Sequence, residues 1–141
     1  MANPNIVNVT SIYGNTAYVV PGTSVATPSA ANGVTSWTYN GATSLTGLTP
    51  AASSVNKIDS IIVTNTTASP IYATVAIGNN ATFASATVLG YIAYQVTVPA
   101  NAALVITDKS TSFYVTENQS VGVFSATASA LTFVASFEVI T

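Results

Sequence analysis

Apolar and polar residues alternate in short runs along this chain, and each run stops at a turn signal. Ile71, Ala73, Val75 and Ile77 lie on one side of a segment whose other side carries Tyr72, Thr74 and Ala76. Leu131, Phe133, Ala135, Phe137 and Val139 alternate in the same way with Thr132, Val134, Ser136, Glu138 and Ile140. A period of two marks a strand with one face in a core. Further strands are expected over Lys57–Asn65, Val88–Val98, Leu104–Thr107, Ser112–Thr116 and Ser120–Ala126. Between them stand Thr66–Pro70, Gly78-Asn79-Asn80, Pro99-Ala100-Asn101, Asp108-Lys109 and Glu117-Asn118-Gln119, all turn chemistry. No stretch sustains a helical period, and nothing supplies the crossovers of a parallel sheet. The pattern therefore predicts an all-β fold, an antiparallel β-sandwich of jelly-roll-like or Ig-like type. Its core should contain Val75, Ile77, Val123, Phe133 and Phe137.

The first 54 residues read differently. Ile6 to Tyr13 is extended, Gly14-Asn15 reads as a turn, and Ala17–Val20 as a second strand. Apolar residues occupy both faces of the first strand, as in a strand covered on both sides. Between Pro21 and Ser54, glycines and prolines punctuate a Ser/Thr/Ala-rich stretch too long for an ordinary loop. A strand is expected around Val34–Tyr39, with Trp37 and Tyr39 on one side of it. The division predicted is an N-terminal arm and punctuated segment over 1–54, packed on the sandwich or on neighbours, and a sandwich over 55–141. Tyr13, Tyr18, Trp37 and Tyr39 are the candidate interface residues, because large aromatics anchor interfaces. Trp37 and Tyr39 also fit a simpler role, covering one edge of the core. Tyr91 and Tyr94 fall in one strand, and strict alternation puts them on opposite faces.

Composition then narrows the chemistry. The chain has 141 residues, four acidic and two basic side chains, no His and no Cys. Charged residues make up 4% of it, against roughly 25% in an ordinary soluble domain. A surface so poor in charge suits a subunit covered by neighbours. Two lysines cannot neutralise a nucleic-acid backbone or hold an anionic membrane. No run is long enough for a spanning helix, and the opening residues lack the basic-then-apolar pattern of a signal peptide. Ser and Thr nucleophiles have no histidine partner. Asp59 lies two residues from Lys57 on the same strand face, which reads as a surface ion pair. Asp108 and Glu117 sit in turns, and nothing in the sequence pairs Glu117 with Glu138 as a glycosidase requires. No calcium loop, P-loop or dinucleotide fingerprint is present. The expectation is no catalytic residue, no metal and no cofactor. Asn8, Asn65, Asn80 and Asn118 begin glycosylation-type triplets, which chance supplies in a chain this rich in Asn and Thr.

Two segments carry a family resemblance. The opening MANPNIVNVTSIYGNT, and NKIDSIIVTNTTASPIYATVAI followed by VPANAALVITDKSTSFYVTENQSVGVFSA, resemble small virion structural proteins of tailed phages of cyanobacteria. Lys57, Ile58, Ser60, Ile61, Val63 and Asn65 match a K-I-x-S-I-x-V-x-N pattern. Val98, Pro99, Ala100, Ala102, Leu104 and Val105 match V-P-A-x-A-x-L-V. The resemblance implies a virion component without enzyme activity. With the low charge and the arm, it points to a capsid cement or decoration protein on the outer capsid surface. Its partners would be copies of itself, with trimers fitting local threefold positions, and the major capsid protein. A tail, neck or fibre-attachment protein is the alternative, and a carbohydrate-binding β-sandwich for host recognition is a third reading.

Overall fold

The computed structural model describes residues 8–34, 36–39 and 43–141. Ten strands form it: β1 (Ile12–Val19), β2 (Ser36–Tyr39), β3 (Thr43–Thr46), β4 (Val55–Asn65), β5 (Ile71–Gly78), β6 (Val88–Val98), β7 (Ala103–Thr107), β8 (Phe113–Val115), β9 (Ser120–Ser125) and β10 (Leu131–Ile140). They make two antiparallel sheets, a seven-stranded one in the order β3-β2-β1-β10-β4-β7, with β8 also on β4, and a three-stranded one in the order β6-β5-β9. This is the all-β sandwich that the alternation predicts.

The core lies between the sheets, where the alternation of β10 directs it. Leu131, Phe133, Ala135 and Phe137 are buried, and their neighbours on the other face are half-exposed. Val19 and Ala17 on β1, and Val63, Ile61 and Ile58 on β4, are cross-strand partners of that same face. The small sheet answers with Ala73, Val75, Val121 and Val123. Of the expected core, Val75, Val123, Phe133 and Phe137 are buried. Ile77 is only half-buried, because the residue opposite it is Gly90, which has no side chain to cover it.

The N-terminal half is part of this frame. The expected turn at Gly14-Asn15 does not form. β1 runs unbroken from Ile12 to Val19 and pairs with β10 at every one of its 8 residues. Its other edge carries β2, so β1 is an interior strand. Residues 1–7 of the expected arm, and Thr35 and 40–42 of the punctuated segment, lie outside the described residues.

The segment around Val25 and Val34 seals the small sheet. Val25 N–H donates to Ser125 O, Val34 exchanges hydrogen bonds with Val123, and Val121 N–H donates to Gly47 O. These bonds occupy the free edge of β9, an edge that would otherwise invite pairing with another chain. The same segment covers the sheet's outer face, forming a second small core of Val25, Ala76, Phe83 and Phe124. Phe83 is fully buried there, and its ring lies over Gly33, Gly78 and Gly122. A Cβ on Gly122 would stand 2.5 Å from that ring, so close packing demands glycine at this position.

Asn65 fastens the end of β4 to two turns. It is 1% exposed. Its Nδ2 donates to Ser69 O at 2.8 Å and to Val98 O at 3.0 Å, and its Oδ1 accepts from Thr67 N–H at 2.9 Å and from the Thr67 hydroxyl at 2.8 Å. A glycosylation role for Asn65 is incompatible with that burial. The residues matching the two family-like patterns are thus largely β4 and the β6–β7 corner, joined through this side chain.

Candidate interaction surfaces

The four aromatic candidates separate into different places. Trp37 is wholly buried, and its Nε1–H donates to Val121 O at 3.3 Å. It therefore belongs to the core, where it ties β2 to the small sheet, and is not an exposed anchor. Its indole fills the space between the sheets on a strand whose inward side it shares with Tyr39, in line with the simpler reading of that pair. Tyr39 is half-buried and tilted against Phe137, with its hydroxyl donating to Asn15 Oδ1 at 2.9 Å. Tyr13 and Tyr18 are exposed. They sit on opposite faces of β1, because they are an odd number of residues apart on an unbroken strand.

Tyr18 belongs to the outer face of the large sheet. Successive cross-strand partners there are Tyr18 on β1, Val134 on β10, Ile62 on β4 and Val105 on β7. Tyr18, Ile62 and Val105 are 45%, 37% and 57% exposed, and Val134 is half-buried. At the strand spacing of a sheet, this apolar row spans about 15 Å. Ile12 and Ile140 form a second paired position toward one end of the same face.

Beside the row lies a small charged group. Lys57 Nζ is 3.0 Å from Asp59 Oδ1 and 3.4 Å from Glu138 Oε2. The sheet brings Glu138 in, since it is the cross-strand partner of Lys57. A register shift between Ser136 and Phe137 brings in Asp59, by leaving it as the extra residue of β4. The hydrogen bond to Asp59, and then Glu138, holds Lys57 protonated above the usual lysine range. Gly14, Tyr18, Asp59, Ser136 and Glu138 line an open depression of about 650 Å³ next to this group.

The other charges serve turns. Asp108 accepts from Ser110 N–H at 2.9 Å and from the Ser110 hydroxyl at 2.6 Å, capping a short 3-10 turn over Lys109–Thr111. Those bonds hold its carboxyl below the usual range. The Glu117 carboxylate accepts from Ser53 N–H. Glu117 and Glu138 are thus engaged with different partners. Among the described residues, no three metal-ligating side chains of the His, Cys, Asp and Glu types gather.

Strict alternation mispredicts Tyr91 and Tyr94. Their rings meet edge to face, with centroids 4.8 Å apart. The reason is the edge strand β6, whose 11 residues oppose the 8 of β5 through three register shifts. One shift falls between the partners of Val75 and Ala76, so Tyr91 and Tyr94 return to the same outer face. Tyr72 and Leu89, both 56% exposed, lie on the same sheet. Gln95 is held at a left-handed φ of 47° within these shifts, with its backbone N–H donating to Thr74 Oγ1 at 2.9 Å.

The inward-facing end of β1 opens on a cavity. Tyr13, Asn15, Tyr39, Leu45, Asn56 and Phe137 are among its walls, and its volume is about 170 Å³. No helix among the described residues is long and apolar enough to cross a membrane. Comparison of the chain with family models, with characterised proteins and with solved structures finds no match in any of the three.

Proposed function

We propose that this protein is a non-enzymatic structural subunit of a virion, a capsid cement or decoration protein that packs across contacts of the major capsid protein. The observation that carries the reading is the outer face of the seven-stranded sheet. It presents the apolar row Tyr18, Val134, Ile62 and Val105 in a chain with six charged side chains. An exposed apolar row on a sheet face favours burial against another protein. The residues matching the family-like patterns support the same reading, since they build the strand and corner on which Ile62 and Val105 stand.

Attachment would then use a preformed face. β1 is paired with β10 at all of its residues and with β2 at Ala17 and Tyr18, so it is held within the subunit's own sheet, and the outer face of that sheet is the surface offered to a neighbour. Side chains on the outer face, led by Tyr18 as the large aromatic, would supply the contact. One lysine is shared between two carboxylates in that group, Asp59 and Glu138, which leaves one net negative charge beside the apolar row.

Quantitative mass spectrometry of density-purified particles from the source tests this. The reading expects the protein to co-purify with full and empty heads in high copy relative to the portal. Absence from the particles would refute it. Copies at portal level, confined to tailed fractions, would replace it with the tail or neck alternative.

A further inference from the structure

The depression on the outer face of the large sheet contains a glycine that the fold itself does not require. Gly14 stands opposite Glu138, in a register with β10 that runs without a shift over the 8 residues of β1. Its φ lies outside the left-handed region. A Cβ there would meet nothing within 4 Å among the described residues. Glycine inside a strand weakens it, and marks a bulge, a tight bend or a close approach by a ligand or another chain. Gly14 shows neither a bulge nor a special backbone angle. An approach from outside the subunit remains as the cause.

The wall beside Gly14 carries a charge that the chain leaves partly uncompensated. Lys57 Nζ lies nearer Asp59, at 3.0 Å, than Glu138, at 3.4 Å. The Asp59 side chain is 14% exposed and that of Glu138 is 38% exposed. Glu138 is therefore the carboxylate that a visiting group meets, and Asp59 adds its negative field at short range. No cation lines the depression. The other lysine of the chain, Lys109, belongs to the turn after β7.

The shape selects the kind of cation. Tyr18, 45% exposed, closes the opposite end of the depression, four residues or about 13 Å along the strand from Gly14. Between them lie the cross-strand partners Thr16 and Ser136, both short side chains. A carboxylate at one end and an aromatic ring at the other fit a long side chain with a charged head and an apolar stem. A metal ion would leave the ring unused, and among the described residues no three ligating side chains gather. An apolar side chain would cover Glu138 without pairing it. We propose that a basic side chain on the surface of the protein's partner occupies this depression, with its head on Glu138 and its stem packed over Thr16 and Ser136 toward Tyr18. The proposal rests on the virion reading, because Tyr18 belongs to both the depression and the apolar row, and one partner would cover the two together.

Co-sedimentation of the purified protein with heads assembled without it tests this. Glu138→Gln keeps the shape of the side chain and removes its charge, and should weaken binding about tenfold or more. Gly14→Lys sets an ammonium of the chain's own in the depression and should weaken binding as much. Wild-type binding should fall as salt rises from about 0.05 to 0.5 M, and binding of Glu138→Gln should fall less. If one of these variants fails to fold, the other carries the test. Ile62→Asp, in the apolar row outside the depression, tests the virion reading separately and should abolish binding. If Ile62→Asp abolishes binding while Glu138→Gln and Gly14→Lys bind as the wild type does, the basic side chain is refuted and the virion reading stands. If the wild-type protein does not bind heads, both fall. If Lys109→Gln weakens binding as much as Glu138→Gln, the basic group comes from a second copy of this chain, and the proposal is overturned.

Discussion

Replacing Asn65 with alanine should remove more stability than any other single polar change in the described structure. The side chain is buried and makes four hydrogen bonds. Each such bond contributes about 0.5–1.5 kcal/mol net, and a buried group left unpaired costs about 1–3 kcal/mol. The four losses are not equal. Ser69 is exposed and Thr67 half-exposed, so water can replace their share. Val98 is fully buried, and its carbonyl would lose this side-chain donor in a place water reaches poorly. A loss of about 3 kcal/mol follows from one stranded buried carbonyl and the partial loss of the other bonds. For a domain of this size that lowers the melting temperature by about 10 °C. Urea denaturation of the two proteins gives the difference at a common slope. Asn80→Ala is the control, since Asn80 is exposed and its one bond, from Thr82 N–H at 2.9 Å, is open to water. It should cost no more than about 0.5 kcal/mol. A loss below about 1 kcal/mol for Asn65→Ala would refute the claim that this side chain holds the corner together.

Three further outcomes follow from the packing. Gly122→Ala places a Cβ 2.5 Å from the Phe83 ring and should cost about 1–3 kcal/mol by overpacking, read as a lower urea midpoint; Gly14→Ala, where a Cβ meets nothing within 4 Å, is its control. Deleting residues 1–20 removes β1 from between β2 and β10, so the truncated chain should lose its cooperative thermal transition; a retained transition would show that β1 is dispensable. The carboxyl of Asp108 is held below its ordinary 3.8 by the Ser110 bonds, so its contribution is present above that pH and disappears as pH falls through the lower folded value. Asp108→Asn should therefore flatten the acid limb of the stability profile below about pH 4, and an unchanged limb would contradict the assignment.

Much of the fold was legible because the core is one-sided. The strict alternation of β10 and β5 states which residues face inward, and Phe133, Phe137 and Val75 are found there. Position in the sheet order was not legible. Gly14-Asn15 has the composition of a turn, yet eight paired residues of β10 hold it extended, and tertiary pairing overrides a local preference. The reach of Trp37 was hidden for the same reason, since its buried partner Val121 is 84 residues away. The tyrosine pair of β6 escaped a period-two reading because the register shifts depend on the partner strand's length. Asn15 and Asn56 carried no sequence signal among the many asparagines. Each has an amide left half-satisfied by its neighbours, which only the packed strands reveal.

The central claim is that the outer face of the large sheet is a contact surface on a particle. A cryo-electron-microscopy map of the purified heads tests it most directly. The account predicts density for this sandwich on the outer surface, with Tyr18, Ile62 and Val105 buried against the major capsid protein. Heads that carry the sandwich with that row facing solvent, or heads with no such density, would contradict it.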